Sequence, residues 1–251
     1  MGTGRGFARF AWVVFGLASA CTPVPPPDAE TVILVHGLGR TSVSMSVLAS
    51  RLTVAGYRVV KFGYPSRSEP IEALVDRLGD ALRECCAVPE DTVHFVTHSM
   101  GGVLVRTYLA ERPGSFEGQV VMLSPPSQGS ELVDAFADSP LLRMFLGPSG
   151  ARLGTDSTGI ASELGPIDFN LGIITGDRSI NPIGSWLIPG PDDGKVGVSR
   201  AQIEGAADFL VLPATHTFIM NRGDVAEEVV HFLREGRFQG REYVGGTPSG
   251  G

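Results

Sequence analysis

Residues Thr31-Val32-Ile33-Leu34-Val35 form an unbroken run of β-branched and apolar side chains. A strand with water on one face alternates apolar and polar residues. An unbroken run instead marks a strand buried on both faces, as in a parallel sheet wrapped by helices. Parallel neighbours cannot be joined by a tight turn, so helical crossovers must lie between them. The chain keeps that rhythm. Further strands are predicted at 57–62, 92–96, 119–123, 169–174 and 208–212. Pro70, flanked by Glu69 and Glu72, opens a helix. Its apolar positions Ile71, Leu74, Val75, Leu78, Leu82 and Cys85 recur at helical spacing. Helices are also expected over 101–111 and 224–233. The alternation predicts one α/β domain over residues 30–235, a mostly parallel sheet with helices on both faces. The length of 251 residues and an apolar content of 43% suffice to bury such a core.

Four segments stand outside this rhythm. Residues 1–21 begin with Arg5 and Arg9, continue through an apolar run from Phe10 to Ala20 and end at Cys21. That is a signal-peptide pattern, too short for a spanning helix. Ala18-Ser19-Ala20 suits ordinary secretory cleavage, and Leu17 to Cys21 resembles a bacterial lipobox with Cys21 as the lipidated residue. The expectation is an exported cell-envelope lipoprotein, with a periplasmic or secreted protein as the alternative. The Pro-rich stretch 22–29 reads as a stiff linker. Residues 127–166 contain no strand-like run but are apolar at Leu132, Val133, Phe136 and 141–146. Long insertions of this kind cover binding sites, so a helical lid is expected. The Gly-rich tail 236–251 is expected to be loosely ordered.

The chemistry gathers at Thr97-His98-Ser99-Met100-Gly101-Gly102, directly after a predicted strand and opening a helix. A nucleophilic serine held on a sharp strand-to-helix turn needs that context, with glycines where side chains would collide. His36-Gly37-Leu38-Gly39 follows the first strand. Its glycines let the backbone approach a substrate carbonyl, so the Leu38 N–H pairs with the Met100 N–H as an oxyanion hole. Of the five histidines, His94 lies within a strand, His36 in the oxyanion loop and His231 on the last helix. His98 adjoins Ser99, but its side chain should point away. His216 alone lies in a loop between the last strand and the last helix, where a base could reach Ser99. The acid should fall between serine and base. Asp193 is the first choice, with Asp177 and Asp192 as alternatives. Cys85 and Cys86 read as small buried or half-buried thiols, and no metal-ligand spacing occurs.

The motifs VHGLG (35–39), THSMGG (97–102), DDGKV (192–196) and THTF (215–218) resemble those of bacterial α/β-hydrolases of the lipase and esterase kind. The element order over 31–233 is similar as well. The resemblance implies the α/β-hydrolase fold, a Ser99–Asp193–His216 triad and no cofactor. In similar lipases an Asp followed by Gly often serves as the acid, which favours Asp193 over Asp192. The expected activity is hydrolysis of carboxylic esters, with lipid or other apolar acyl esters as the expected substrates and membrane association through the anchor. Acyl transfer by the same triad, or a non-catalytic surface-binding lipoprotein, are the alternatives. A net charge of −7 without a basic stripe argues against nucleic acid as a partner.

Overall fold

A computed structural model describes residues 25, 26, 28–86 and 92–240. The leader with Cys21, most of the linker's start and the end of the tail lie outside the described residues. Six strands form one sheet: β1 (Thr31–Val35), β2 (Arg58–Phe62), β3 (Val93–His98), β4 (Gln119–Leu123), β5 (Asn170–Gly176) and β6 (Asp208–Leu212). Their order is β2-β1-β3-β4-β5-β6, and every neighbouring pair is parallel. The first strand explains why its sequence is apolar throughout. Ile33 and Val35 pack on one face, and Val32 and Leu34 on the other. Side chains alternate across the sheet, so both faces need apolar residues once both are covered.

Helices supply that cover. On one face lie α2 (Ile71–Cys85) and α3 (Met100–Ala110). α2 buries Ile71, Leu74, Val75 and Leu78, the stripe anticipated from its spacing. On the other face lie α1 (Ser46–Val54) and α8 (Gly223–Glu235), which contribute Leu48, Leu52, Val225, Val229 and Phe232. Four further helices are short or irregular: α4 (Glu131–Phe136), α5 (Pro140–Ala151), α6 (Pro182–Leu187) and α7 (Val198–Ala201). α5 is broken at Gly147, directly before Pro148. Residues 127–166, expected to hold a helical insertion, contain α4 and α5.

Two strands run further than their apolar pattern indicates. β3 continues through Thr97 and His98, and β5 through Thr175 and Gly176. Ladder partners carry these ends: Thr97 aligns with Val35 and Met122 on its two sides, and Gly176 with Leu212 on one. Helix α1 was not read from the sequence at all. It buries only Leu48 and Leu52, too sparse a stripe for a periodicity argument.

The sheet places the site. From β1 the chain crosses to β2 at one edge, then returns to put β3 on the other side of β1. Connections leaving β1 and β3 therefore diverge and open a crevice at their carboxyl ends, where ligands bind in such sheets.

Candidate active site

Ser99 sits in that crevice. It is the turn residue between β3 and α3, with φ +54° and ψ −127°. A non-glycine residue in such a conformation costs roughly 1–3 kcal/mol and persists only where the surroundings over-determine it. Here they do. The Ser99 N–H donates to the Leu123 carbonyl (2.8 Å), its carbonyl accepts from Gly102 N–H (2.9 Å), and α3 is buried against the sheet. The turn also demands small neighbours. A Cβ on Gly101 would stand 2.6 Å from the Val35 carbonyl oxygen and 2.7 Å from that of His36. One on Gly37 would stand 2.9 Å from the Ser99 Cβ. The glycines thus let the 36–39 loop, Ser99 and the start of α3 touch.

His216 lies between β6 and α8, and its Nε2 is 3.0 Å from Ser99 Oγ. On the opposite side of the ring, the Nδ1–H donates to Asp193 Oδ2 (2.8 Å). Asp193 is 1% exposed, so its carboxylate has no water to stabilise it. Burial alone would push its pKa up. The His216 charge and hydrogen bond, the Val196 N–H and the Ser124 hydroxyl outweigh that and hold it below the usual carboxylate range. Asp193 Oδ1 accepts from the Lys195 and Val196 N–H groups (3.0 and 2.9 Å). The carboxylate is therefore fixed in orientation before it meets the histidine. A backbone bond from His216 N–H to the Asp193 carbonyl (2.9 Å) ties the two loops together.

The other two acids go elsewhere. Asp192 turns back on its own loop and accepts from Gly194 N–H (2.7 Å) and Ser185 Oγ (2.8 Å). Asp177 follows β5 and lies 3.7 Å from the Arg178 guanidinium.

Two histidines support the site without joining the chain of contacts. His98 points away from Ser99, and its Nε2–H donates to the His216 carbonyl (2.9 Å). Burial, and then repulsion by His216, push its pKa well below the usual histidine value. It stays neutral and lends a hydrogen bond without placing a charge beside His216. His36 is buried and stacked on Tyr64, with ring centroids 4.2 Å apart. Tyr64 N–H donates to its Nε2 (3.4 Å), leaving Nδ1–H for the Gly37 carbonyl (3.0 Å), while the Tyr64 hydroxyl donates to the His36 carbonyl (2.5 Å). Ser66 Oγ accepts from Gly39 N–H (2.9 Å). The 36–39 loop is thus pinned at three points, and Leu38 lies between the pins. Met100 opens α3, so its N–H has no acceptor within the helix. Sequence reading named neither Tyr64 nor Ser66, because both act through the distant β1 loop and carry no local motif.

His94 and His231 lie apart from the site. The Gln119 N–H donates to His94 Nδ1 (2.9 Å), and His231 Nδ1 contacts the Arg237 carbonyl (2.8 Å). Cys85 and Cys86 are not joined in a disulfide and are half-buried at the end of α2.

Ser99 and His216 open onto a cleft of about 610 Å³. α4 and α5 supply much of its apolar wall, through Leu132, Val133, Phe136, Phe145 and Leu146, with Leu38, Leu153 and Val196 completing it. This volume matches a small-molecule site. Among the described residues no helix is long and apolar enough to cross a membrane.

Comparison with known proteins agrees with this geometry. Residues 26–153, just over half of the chain, match the model of the family described as serine aminopeptidase, S33. No curated protein matches the chain by sequence. Similar solved structures include the mature Bacillus licheniformis lipase BlEst2, at 20% identity and TM-score 0.63, covering 79% of this chain and 89% of that one. A metagenomic carboxyl esterase is 22% identical with TM-score 0.64, covering 78% and 67%. The Legionella pneumophila phospholipase PlaB is 16% identical with TM-score 0.63, covering 82% and 59%. At these identities the likeness is one of fold. With the family match over residues 26–153, the chain belongs to the serine aminopeptidase S33 family of α/β-hydrolases, and its fold is similar to those of a lipase and an esterase.

Proposed function

We propose that the protein hydrolyses carboxylic esters with apolar acyl groups, using Ser99 as nucleophile, His216 as base and Asp193 as its orienting acid. The observation that carries this reading is the contact chain Ser99–His216–Asp193, at 3.0 and 2.8 Å, opening onto an apolar cleft. Because His216 Nδ1–H is committed to Asp193, Nε2 carries the lone pair that accepts the Ser99 proton. Ser99 Oγ attacks the ester carbonyl, and its proton passes to Nε2. The Leu38 and Met100 N–H groups hold the oxyanion that forms. Collapse expels the alcohol, which takes the proton from His216 and leaves an acyl-Ser99. Water then attacks with His216 again as base, releasing the carboxylic acid and free Ser99.

Two features support an apolar acyl substrate. α4 and α5 give the cleft an apolar wall, and Val43 and Phe145, which line it, stay exposed. The 127–166 segment acts in this reading as the cover of the site. An aminopeptidase activity, as in the family's description, is disfavoured by charge. Binding a peptide's free ammonium calls for a carboxylate, and among the described residues no Asp or Glu lines the cleft. Export, with a lipid anchor at Cys21, belongs to the same proposal. It rests on the basic start and the apolar run that ends at that residue. Mass spectrometry of the mature N-terminus tests the anchor: a diacylglyceryl adduct on Cys21 is the expected result.

The catalytic reading is tested by hydrolysis of 4-nitrophenyl butyrate and octanoate. Replacing Ser99 by Ala is expected to lower kcat by about 10⁴-fold or more. Equal rates in the two proteins would refute it.

A further inference from the structure

Among the described residues, two that are not glycine have φ in the left-handed region: Ser99 (+54°) and Ser124 (+47°). Ser99 is the nucleophile of the reading above. Ser124 directly follows β4, and no catalytic step above uses it. Its conformation is doubly disfavoured. A Cβ opposes the left-handed region, and Pro125, next in the chain, drives its predecessor toward extended backbone. Such strain survives only where the surroundings enforce it, and it collects at functional sites. Here the Ser124 N–H donates to the Ile174 carbonyl of β5 (2.8 Å). One residue earlier, the Leu123 carbonyl accepts from the Ser99 N–H (2.8 Å). The strained turn thus links the backbone of Ser99 to the end of β5. Asp193 packs on that same strand end: a Cβ on Gly176 would stand 3.1 Å from the Asp193 Cβ.

The Ser124 side chain is as unusual as its backbone. It is fully buried, and its hydroxyl makes no well-formed hydrogen bond. A buried hydroxyl left in this way carries a desolvation cost. Yet it lies close enough to the Asp193 carboxylate to help keep that group ionised. We propose that Ser124 is a positioning residue, whose strained turn aims its hydroxyl at the Asp193 carboxylate and so sets how strongly that carboxylate pulls on His216. Asp193 Oδ1 is held by two backbone N–H groups and Oδ2 by His216. A hydroxyl dipole with its hydrogen toward them stabilises the carboxylate and opposes the positive charge that His216 gains. The imidazolium then yields its proton more readily to the leaving alcohol. The other titratable and charged groups here are Lys195 on the Asp193 loop, His98 of β3 beside His216, and Arg40 on the loop after β1. The proposal rests on the ester-hydrolase reading above.

Two variants separate hydroxyl from strain and leave all those groups in place. Ser124→Ala removes the hydroxyl, and Ser124→Gly removes the hydroxyl and the strain together. With 4-nitrophenyl butyrate, both are expected to lower kcat by about 3- to 10-fold at similar KM, the yield of one hydrogen bond. The acid limb of kcat/KM should move up by about 0.5 pH unit, because a carboxylate without its hydroxyl donor favours the charged imidazole. Urea midpoints should stay level or rise, most in Ser124→Gly. Thr31→Val is the control. It removes another buried hydroxyl without a partner, at the start of β1, and should leave both rate and acid limb unchanged. If the unsubstituted protein shows no Ser99-dependent hydrolysis, the ester reading fails and takes this proposal with it. If that protein is active and either variant keeps its kcat and its acid limb, the proposal alone fails. A loss of activity that only follows a lower urea midpoint, with the acid limb unmoved, makes Ser124 a structural residue and likewise overturns the proposal.

Discussion

Asp193 is buried with both oxygens engaged, one by His216 and the other by two backbone N–H groups. Changing it to Asn puts an amide against Nδ1, which favours the wrong histidine tautomer. Asp193→Asn is therefore expected to lower kcat by about 10³–10⁴-fold while leaving the circular dichroism of the fold intact. Asp192→Asn and Asp177→Asn should each cost less than about 10-fold, because neither carboxylate meets His216. A second residue-scale outcome concerns Tyr64. Tyr64→Phe strips the buried His36 carbonyl of its hydroxyl donor and loosens the loop that carries Leu38. A loss of about 1–3 kcal/mol in urea unfolding and a lower kcat at similar KM are expected. Ser99 and His216 could be nominated from sequence because each sits in a recognisable place, an elbow and a loop after the last strand. The choice among three aspartates needed coordinates. Three loop carboxylates look alike in sequence, and their difference lies in which backbone N–H groups surround them.

At the scale of elements, the site depends on how closely α3 approaches the end of β1. The hydrogen on Gly101 is all that fits near two carbonyl oxygens. Gly101→Ala must push α3 away from the sheet, and overpacking of this kind costs about 1–3 kcal/mol. The expected result is a lower urea midpoint together with loss of esterase activity, since the same shift moves Met100 and Ser99. The long helices α2 and α8 were legible because a stripe of apolar residues at helical spacing is a local property. Helix α1 was missed, as were the short α6 and α7. Too few of their residues are buried for a pattern to form, and they are held by contacts with distant loops. One of these is the Asn181 side chain, which binds the Gly184 N–H and the Gly194 carbonyl.

For the whole molecule, buried histidines set the response to acid. His36, His94 and His98 all have pKa values lowered chiefly by burial. The unfolded chain binds protons at these sites near pH 6.5, and the folded chain refuses them. Stability is therefore complete above that pH and falls as pH drops below it, by at most about 1.4 kcal/mol per pH unit for each site. Asp193 acts in a second window. Its depressed pKa adds stability above the unfolded carboxylate value, and that share is lost at still lower pH as it protonates. Thermal unfolding between pH 8 and 5 should show Tm falling from about pH 6.5 downward, well before ordinary carboxylates titrate. A flat Tm across that range would contradict the burial of these rings.

The sequence by itself determined the parallel sheet, the order of its main elements and the positions where a nucleophile and base could stand. Those features are written in local patterns: continuous apolar strands, helical stripes and glycines next to a serine. Only the tertiary structure decided which aspartate faces His216, how the 36–39 loop is pinned, and that Arg40 reaches the Thr217 carbonyl beside His216. These are relations between residues as much as 177 positions apart, as in the bond from Arg40 to Thr217. No local pattern encodes them, because the chain brings such residues together only when the sheet closes its order around β1 and β3.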